Sequence, residues 1–407
     1  MNLDLNDIEF INNPYPTYKK LRELNEPIWI KQAEGISNVK SILLFSRYED
    51  ALEIYKESKK ISNNMFRVRE FNEKNLFFNH MMGSDGEKHK RLRSSVSDYF
   101  KVSHLEQIKP IISNLCNDLA IEIINKGKNG EDIDLVNDYA EKIPILVIAN
   151  LLGMTDCDLI KMRKWSKTIS RGIDTISATL EDTEKTKIAI QEFMTYLKEY
   201  ISYKKNHPKD SMIGHLISLE KNKVLSENEL ISMVSFLFVA GHETTINSIG
   251  NGLWLLLSHP EQLEMIKNDK SLLSNAVEEI FRFESPIQRS SFRMSVEPVI
   301  INGFSIDPET QISIAIGSAN RDENIFKNPE KFDILRTPNP HIAFGAGVHN
   351  CLGKHLARIE ASLSIECFIK NFPNLELLSS KPNWDGRSLL RGLKDLKVKS
   401  NSWYNKL

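Results

Sequence analysis

One cysteine of the chain stands in a setting that suits metal chemistry. The loop around it is rich in glycine and reads Phe344-Gly345-Ala346-Gly347-Val348-His349-Asn350-Cys351-Leu352-Gly353. Glycines let the backbone turn tightly and approach a flat cofactor closely. A helical segment follows directly, so the unpaired amides at its start stabilise the Cys351 thiolate. An anionic sulfur of this kind suits the axial position of a haem iron, where it favours cleavage of the O–O bond.

Two other roles for Cys351 explain the residues less well. A buried, inert cysteine at the end of a loop gives no reason for the surrounding glycines. A zinc site built from His349, Cys351 and His355 lacks a fourth ligand and leaves the glycines equally unexplained. The sequence therefore favours a haem thiolate at Cys351.

A second segment with chemical potential lies in an apolar stretch, Phe236-Leu237-Phe238-Val239-Ala240-Gly241-His242-Glu243-Thr244-Thr245. Its apolar flanks predict burial, where polar groups cost free energy unless they are partnered. Gly241 inside a helix costs a further ~1 kcal/mol relative to alanine. Segments that break local rules in this way often mark a functional site. The alternative for Thr244 is a hydroxyl that bonds back to a carbonyl of its own helix.

Helical periodicity dominates the elements that must position these residues. It predicts helices near 16–24, 47–58, 86–100, 104–126, 138–152, 157–172, 182–205, 227–258, 260–268 and 270–283. The longest begins at a possible capping box of Ser226 and Glu229, meets no proline until Pro260, and carries the apolar stretch described above. Strand-like runs at 298–306 and 311–316 predict the two strands of a hairpin. The expected fold class is mainly α with small peripheral β-sheets.

Composition narrows the class of protein. The chain has 407 residues, of which 41% are hydrophobic and 26% charged, as is typical of a globular protein with a large core. Lys and Arg total 53 against 54 Asp and Glu, so the net charge of −1 gives no sign of nucleic-acid binding. The four cysteines form no Cys-x-x-Cys pair. With no signal peptide and no run of about 18 apolar residues, we expect a cytoplasmic protein without a membrane anchor.

The cysteine loop, Phe344 to Gly353, resembles the haem-binding signature of the cytochrome P450 family. Glu279-Ile280-Phe281-Arg282 is similar to the family's Glu-x-x-Arg motif, and Arg336 matches the arginine that joins this pair in a structural role behind the haem. The resemblance runs from Asn13 to Leu393. It implies a cytochrome P450 fold, a b-type haem (iron protoporphyrin IX) ligated by Cys351, and one domain over residues 1–407 without a fused reductase.

The resemblance also implies which residues are catalytic. Glu243 and Thr244 match the family's acid and alcohol, which deliver protons beside the reacting dioxygen. Ala240 and Gly241 are expected to leave room over the iron. His242 is expected to have no catalytic role.

Further residues are expected to bind the haem because they match family positions. The two propionates need cations to neutralise them, and the four candidates are His89, Arg93, Arg293 and His349. Phe344, Gly345 and Gly353 of the cysteine loop complete the expected cofactor contacts. Ser84-Asp85-Gly86-Glu87 departs from the family's usual entry to the helix that carries the first two cations, so the start of that helix is expected to differ.

The implied function is that of a soluble, bacterial-type haem-thiolate monooxygenase. Such an enzyme inserts one oxygen atom from O2 into a medium-sized lipophilic substrate by hydroxylation or epoxidation, for example in natural-product biosynthesis. The expected pocket segments are 65–82, 168–180, 236–244, 287–288 and 389–390. A haem-thiolate peroxygenase driven by hydrogen peroxide is the alternative, although such family members usually lack the acid and alcohol pair. A non-catalytic haem sensor, a less favoured reading, needs neither residue.

Electrons are expected to come from NAD(P)H through a separate partner of the ferredoxin or flavodoxin type, and the protein is expected to be a monomer. The docking face predicted for this partner is basic and comprises Lys88, Lys90, Arg91, Lys354 and Arg358.

Overall fold

Helices form most of the part of the chain that the structure describes. The computed structural model describes residues 3–31, 41–64, 76–174, 176–290 and 293–400. Within these ranges the α-helices are Ile8–Asn12, Tyr15–Glu23, Tyr48–Lys56, Gly86–Ser97, Val102–Leu105, Lys109–Lys128, Lys142–Leu152, Leu159–Ile173, Leu180–Asn206, Met212–Lys221, Glu227–Ser258, Pro260–Asn268, Leu273–Phe283, Ile316–Ala319 and Lys354–Asn371. Short 3-10 turns lie at Leu76–Phe78, Met81–Gly83, Asp98–Phe100 and Lys270–Leu272, and a π-turn lies at Val136–Ala140. The mainly α fold class is confirmed.

The longest helix, Glu227–Ser258, is the central helix. Its 32 residues correspond to a length of about 48 Å. The predicted capping box is present, because the Ser226 side chain accepts from the Glu229 amide at 3.2 Å and the Glu229 carboxylate accepts from the Ser226 amide at 2.9 Å. Neighbouring helices cover most of its length, among them Lys142–Leu152, Leu180–Asn206 and Lys354–Asn371. The apolar stretch therefore lies in the interior, as predicted.

The largest sheet in the described ranges has five short strands. Their order is Ile28–Lys31, Ser41–Phe45, Gln311–Ile314, Arg293–Ser295 and Ile61–Ser62. The second and third strands pair in parallel, with Leu43 opposite Ile312, and the other pairs are antiparallel. The strand Arg293–Ser295 brings Arg293 to the side of the molecule that also holds the cysteine loop.

The hairpin predicted from the runs at 298–306 and 311–316 is wrong in its pairing. Val299–Ile301 pairs with Phe304–Ile306, so the hairpin lies entirely within the first run. Its turn residues, Asn302 and Gly303, both have positive φ angles, of 45° and 86°, which a two-residue turn of this kind requires. The second run contributes Gln311–Ile314 to the five-stranded sheet instead.

Several helix boundaries differ from the sequence prediction. The segment predicted at 104–126 consists of Val102–Leu105 and Lys109–Lys128, and Pro110 lies in the first turn of the second helix, where its missing N–H costs nothing. The segment predicted at 138–152 is a π-turn followed by Lys142–Leu152. Met212–Lys221, which was not predicted, begins at Ser211, whose hydroxyl accepts from the Gly214 amide at 3.1 Å.

The described ranges also hold three smaller sheets, one of which is the hairpin Val299–Ile301 with Phe304–Ile306. Lys397–Ser400 pairs with Ile133–Asp134 on one side and Leu375–Leu377 on the other, and Asn383–Trp384 pairs with Leu393–Asp395. We call residues Asn383 to Asp395 the final hairpin. None of the helices in the described part of the chain combines the length and apolarity that a membrane-spanning segment needs.

Candidate active site

The cysteine loop is a tightly hydrogen-bonded turn in front of the helix Lys354–Asn371. The Cys351 amide donates to the Phe344 carbonyl at 2.9 Å, and the Asn350 amide donates to the Gly347 carbonyl at 3.2 Å. Gly347 has a φ of +70°, and a Cβ built on it would lie 2.2 Å from the Tyr55 carbonyl oxygen. Glycine is therefore required at this position for both conformation and space.

Burial and nearby positive charge have opposite effects on the acidity of the Cys351 thiol. Loss of water around the sulfur raises the pKa of the Cys351 thiol, whereas the Gly353 amide and the cations of Arg93 and Arg358 act in the opposite direction. A metal cation on the sulfur would remove the thiol proton outright. Within the described ranges, no group of three or more His, Cys, Asp and Glu residues is placed to hold a metal ion.

The four predicted propionate ligands come from three elements, and three of them lie close to one another or to the cysteine loop. The rings of His89 and His349 lie 4.1 Å apart between centroids. Arg93 donates to the Asn350 side chain at 2.7 Å. The guanidinium of Arg293 lies 4.8 Å from the centre of the Tyr55 ring. The two histidine rings and Arg93 thus lie beside the cysteine loop.

Two observations on His89 indicate that this cluster suits an anionic ligand. The Nε2 atom of His89 is buried and has no hydrogen-bond partner among the described residues. Burial, followed by the nearby charges of His349 and Arg93, lowers the pKa of His89 to about 4. A carboxylate in contact with this cluster would supply the missing partner and the compensating charge. Together with the thiol and the tight glycine turn, the residues fit a haem with two propionates.

Asp85 is a residue of this cluster that sequence reasoning missed. Its carboxylate accepts from the Asn63 amide at 3.0 Å and lies 3.5 Å from His349 Nε2. Its side chain does not cap the helix Gly86–Ser97, although it precedes that helix directly. It ties the entry of this helix to the strand Ile61–Ser62 and to the cysteine loop. The unusual Ser84-Asp85-Gly86-Glu87 sequence was the only signal of this arrangement.

The central helix presents a small opening in its middle. Ala240 is exposed and Gly241 and Thr244 are partly exposed, whereas most residues on either side are buried. Ala240 therefore lines this opening, and its place over the iron stays a prediction. A Cβ on Gly241 would come within 3.1 Å of Ile148, so the glycine also lets the helix Lys142–Leu152 pack closely.

The side chains of Glu243 and Thr244 turn in different directions. The Thr244 hydroxyl donates to the Ala240 carbonyl at 3.1 Å, which is the helix bond considered as an alternative from the sequence. A hydroxyl also has two lone pairs, so this bond leaves Thr244 able to accept from another donor. His242 is buried, contacts the Ser166 hydroxyl at 3.1 Å, and has its pKa lowered to about 3, mainly by burial.

Glu243 is buried and bonded to an arginine that the sequence did not suggest. Arg387 of the final hairpin donates to Glu243 Oε2 at 3.1 Å. Burial raises the pKa of Glu243, and Arg387 opposes that rise. The two residues are 144 positions apart, and the local sequence carries no signal for such a contact.

The Glu-x-x-Arg residues form a buried charged cluster. Arg282 donates to both oxygens of Glu279 at 2.8 Å, and Arg336 Nε lies 3.1 Å from Glu279 Oε2. The neighbouring acid Glu278 pairs with Arg358, whose guanidinium lies 4.4 Å from the centre of the Phe344 ring. The cluster is therefore joined to the first residue of the cysteine loop.

Three of the predicted pocket segments meet at one buried polar cluster. The Asp174 carboxylate accepts from Arg289 at 2.8 Å and from the Leu389 amide at 2.9 Å. The Gln288 amide donates to the Leu389 carbonyl at 2.8 Å. Of the segment predicted at 65–82, residues 65–75 lie outside the described residues. The segments at 168–180, 287–288 and 389–390 are thus held together, and the last of them is part of the final hairpin.

Comparisons with known proteins agree along most of the chain. The Cytochrome P450 family model matches residues 9–399. A cytochrome P450 of Bacillus subtilis (strain 168) is 38% identical over 366 residues, which cover 87% of each chain. The polyketide biosynthesis cytochrome P450 PksS of the same organism is 33% identical over 401 residues, or 96% of each chain. The crystal structure of the myxobacterial cytochrome P450 CYP267B1 in complex with myristic acid superposes with a TM-score of 0.89 at 30% identity, covering 97% of this chain and 98% of that one.

Proposed function

Because the chain belongs to the cytochrome P450 family, we propose that it inserts one oxygen atom from O2 into a medium-sized lipophilic molecule by hydroxylation or epoxidation. Members of this family are monooxygenases that bind haem b, and bacterial members receive electrons from NAD(P)H through redox partners. The observation that carries the proposal for O2 is the pair Glu243 and Thr244 beside the exposed Ala240. Family members that use hydrogen peroxide usually lack this acid and alcohol pair.

The residues that would hold the haem follow from the site. Cys351 would ligate the iron, and His89, Arg93, Arg293 and His349 would bind the propionates. When bound, the haem supplies the redox chemistry that reduces and splits dioxygen. We propose that residues 1–407 act as one domain around this cofactor.

The chain's own contribution is proton delivery. Burial lets Glu243 keep its proton to a higher pH than an ordinary carboxyl group, because its pKa is raised, and an acid is most effective when its pKa approaches the working pH. Thr244 can accept a proton through its free lone pairs and release the proton that it now donates to the Ala240 carbonyl. Glu243 is thus the source of the proton, and the Thr244 hydroxyl places it at the helix opening.

The proposed substrate class rests on the pocket segments and on two relatives. Ile287, Leu389 and Leu390 contribute apolar side chains, and Ile287 pairs with Leu390 across a β-bridge. PksS acts in polyketide biosynthesis by its name, and CYP267B1 holds myristic acid. We therefore infer a polyketide or fatty acyl substrate, as in natural-product biosynthesis.

The proposed electron donor is a separate acidic protein of the ferredoxin or flavodoxin type. Of the five cations predicted for its docking face, Arg91 pairs with Glu229 at 2.6 Å and Arg358 pairs with Glu278 at 2.7 Å. Their charges are therefore partly neutralised. Lys90 is exposed and Lys354 partly exposed, so these two are expected to contribute most to the association rate.

An oxygen-labelling experiment tests the proposal. Fatty acids and macrolactones are first screened for those that shift the ferric haem from low to high spin. The best binder is then converted with NAD(P)H, a ferredoxin system and ¹⁸O2, and in parallel with hydrogen peroxide alone. We expect one ¹⁸O atom per product and little product from peroxide. Equal product from peroxide without a reductase would contradict the monooxygenase assignment.

A further inference from the structure

The final hairpin carries an arginine that bonds two carboxylates at once. Arg387 donates from Nη2 to Glu243 Oε2 at 3.1 Å, and from Nε to Asp385 Oδ1 at 2.8 Å. Its Nη2 also lies 2.5 Å from Asp385 Oδ2. The side chains of Glu243 and Arg387 are 7% exposed, whereas that of Asp385 is 21% exposed. The three groups therefore lead from solvent to the acid of the central helix.

The hairpin is fixed firmly against the central helix. A Cβ on Gly392 would lie 1.9 Å from the Asn247 side-chain oxygen, so a larger residue here would require that side chain to move. One helical turn later, Asn251 donates to the Arg391 carbonyl at 2.9 Å. The Asp385 amide donates to the Gly392 carbonyl at 3.0 Å and closes the hairpin above this contact. Arg387 is thereby held beside Glu243 by backbone contacts on both sides.

We propose that Arg387 is a positioning residue that fixes the orientation and the proton affinity of Glu243, and that Asp385 tunes this effect by competing for the same guanidinium. The inference rests on the proposed role of Glu243 as proton donor. Neither Arg387 nor Asp385 belongs to a motif recognised in the sequence.

The competition follows from the charges that face Glu243. The final hairpin contributes Arg387 and Asp385, and the helix Leu159–Ile173 contributes Lys167. Arg387 and Lys167 favour the carboxylate, whereas Asp385 favours the protonated acid. His242, the neighbour on the central helix, is neutral near pH 7 because its pKa is lowered to about 3. These charges therefore act on the proton affinity of Glu243 in opposite directions. Among them, Arg387 bonds Glu243 directly.

Glu243 gains and loses a proton while Arg387 stays protonated. A proton from solvent binds Glu243 and turns its carboxylate into a carboxylic acid. Arg387 keeps its own protons throughout, because a guanidinium does not deprotonate in proteins. The neutral acid has lost the charge that Arg387 pairs with, so Arg387 stays with Asp385 and Glu243 is released to give its proton to the site. Loss of that proton restores the pair with Arg387.

Two charge-removing variants test the inference because they should act in opposite directions. The readout is an infrared titration of the ferric, haem-loaded protein, in which the carbonyl stretch of protonated Glu243 is isolated by subtracting the spectrum of Glu243→Gln. Arg387→Gln should raise the midpoint by about 1–3 pH units, as expected for loss of an opposite charge at this distance. Asp385→Asn should lower the midpoint, because Arg387 then serves Glu243 alone.

The controls separate this effect from damage to the hairpin. Asp395→Asn makes the same chemical change in the same hairpin, where Asp395 accepts from the Asn383 side chain at 2.6 Å, and it should leave the midpoint unchanged. Arg387→Lys keeps the charge and should shift the midpoint less than Arg387→Gln. Shifts of Arg387→Gln and Asp385→Asn in the same direction, or no shift in either, would overturn the inference. The titration needs no substrate or redox partner, so its result is independent of whether the proposed reaction is correct.

Discussion

Replacing Glu279 by glutamine should destabilise the protein strongly, because this carboxylate neutralises two arginines in the interior. It accepts from Arg282 at 2.8 Å through both oxygens, from Arg336 at 3.1 Å and from the Asp333 amide at 2.9 Å. The side chains of Glu279 and Arg282 are both 0% exposed. Glutamine keeps the shape but removes the charge and turns an N–H group toward Arg282. Breaking a buried pair on one side costs about 3–5 kcal/mol, a large part of a typical stability of 5–15 kcal/mol.

Urea unfolding of the haem-loaded protein, followed by circular dichroism and by the Soret band, measures this loss. Glu330→Gln is the matched control, because Glu330 also pairs with an arginine, at 2.6 Å, but its side chain is 52% exposed. This control should cost about 0–1 kcal/mol, since water screens the exposed Glu330 carboxylate and Arg321 still lies 3.5 Å from Glu284. If Glu279→Gln unfolds within about 1 kcal/mol of the control, the cluster does not have the stabilising role argued for it.

Three further changes probe separate parts of the account. Thr244→Ala should lower the product formed per NAD(P)H by about tenfold or more. Hydrogen peroxide should be released instead, and the haem content should stay normal. If the variant still forms about one product per NAD(P)H, Thr244 has no role in proton delivery. Gly347→Ala should reduce haem loading, because its φ is +70° and a backbone carbonyl lies 2.2 Å from the new Cβ. Gly130→Ala is the control, since Gly130 has a φ of +77° but open space around it. This control should lose only about 1–2 kcal/mol of folding stability and keep its haem. Burial raises the pKa of Glu360, so the stability it provides is fully present below the unfolded pKa and is lost as pH rises toward the folded pKa. In urea titrations, Glu360→Gln should therefore gain on the wild type by about 1.4 kcal/mol per pH unit above about pH 4.3. A constant difference between the two proteins over this pH range would contradict the effect of burial on Glu360.

Local sequence signals predicted the parts of the site whose geometry is set within a few residues. The cysteine loop could be recognised because its glycines serve a turn, and the pair Glu279 and Arg282 because its spacing of one helical turn matches the family's motif. The capping box at Ser226 fixed the start of the central helix for the same reason. In each case the residues that interact are close in sequence.

Contacts between distant segments could not be predicted in this way. Arg387 meets Glu243 because the final hairpin packs against the central helix, where Gly392 approaches Asn247 closely. Neither Arg387 nor Gly392 belongs to a periodic or spaced pattern that would reveal this contact. Asp85 accepts from the Ser62 hydroxyl and from the Asn63 amide at the end of the strand Ile61–Ser62, and this contact depends on strand and helix packing. The mispaired hairpin has the same origin, since the Gln311–Ile314 strand finds partners far away in sequence.

The central claim is that Cys351 ligates the haem iron, and the carbon monoxide difference spectrum of the reduced protein tests it most directly. The wild type should show the red-shifted Soret band of a thiolate-ligated haem. Cys351→Ser should lose this band, because an alcohol is a far weaker anionic ligand at neutral pH. Cys116→Ala, Cys157→Ala and Cys367→Ala should each keep it. Retention of the band in Cys351→Ser, or its loss in one of the other three variants, would contradict the assignment.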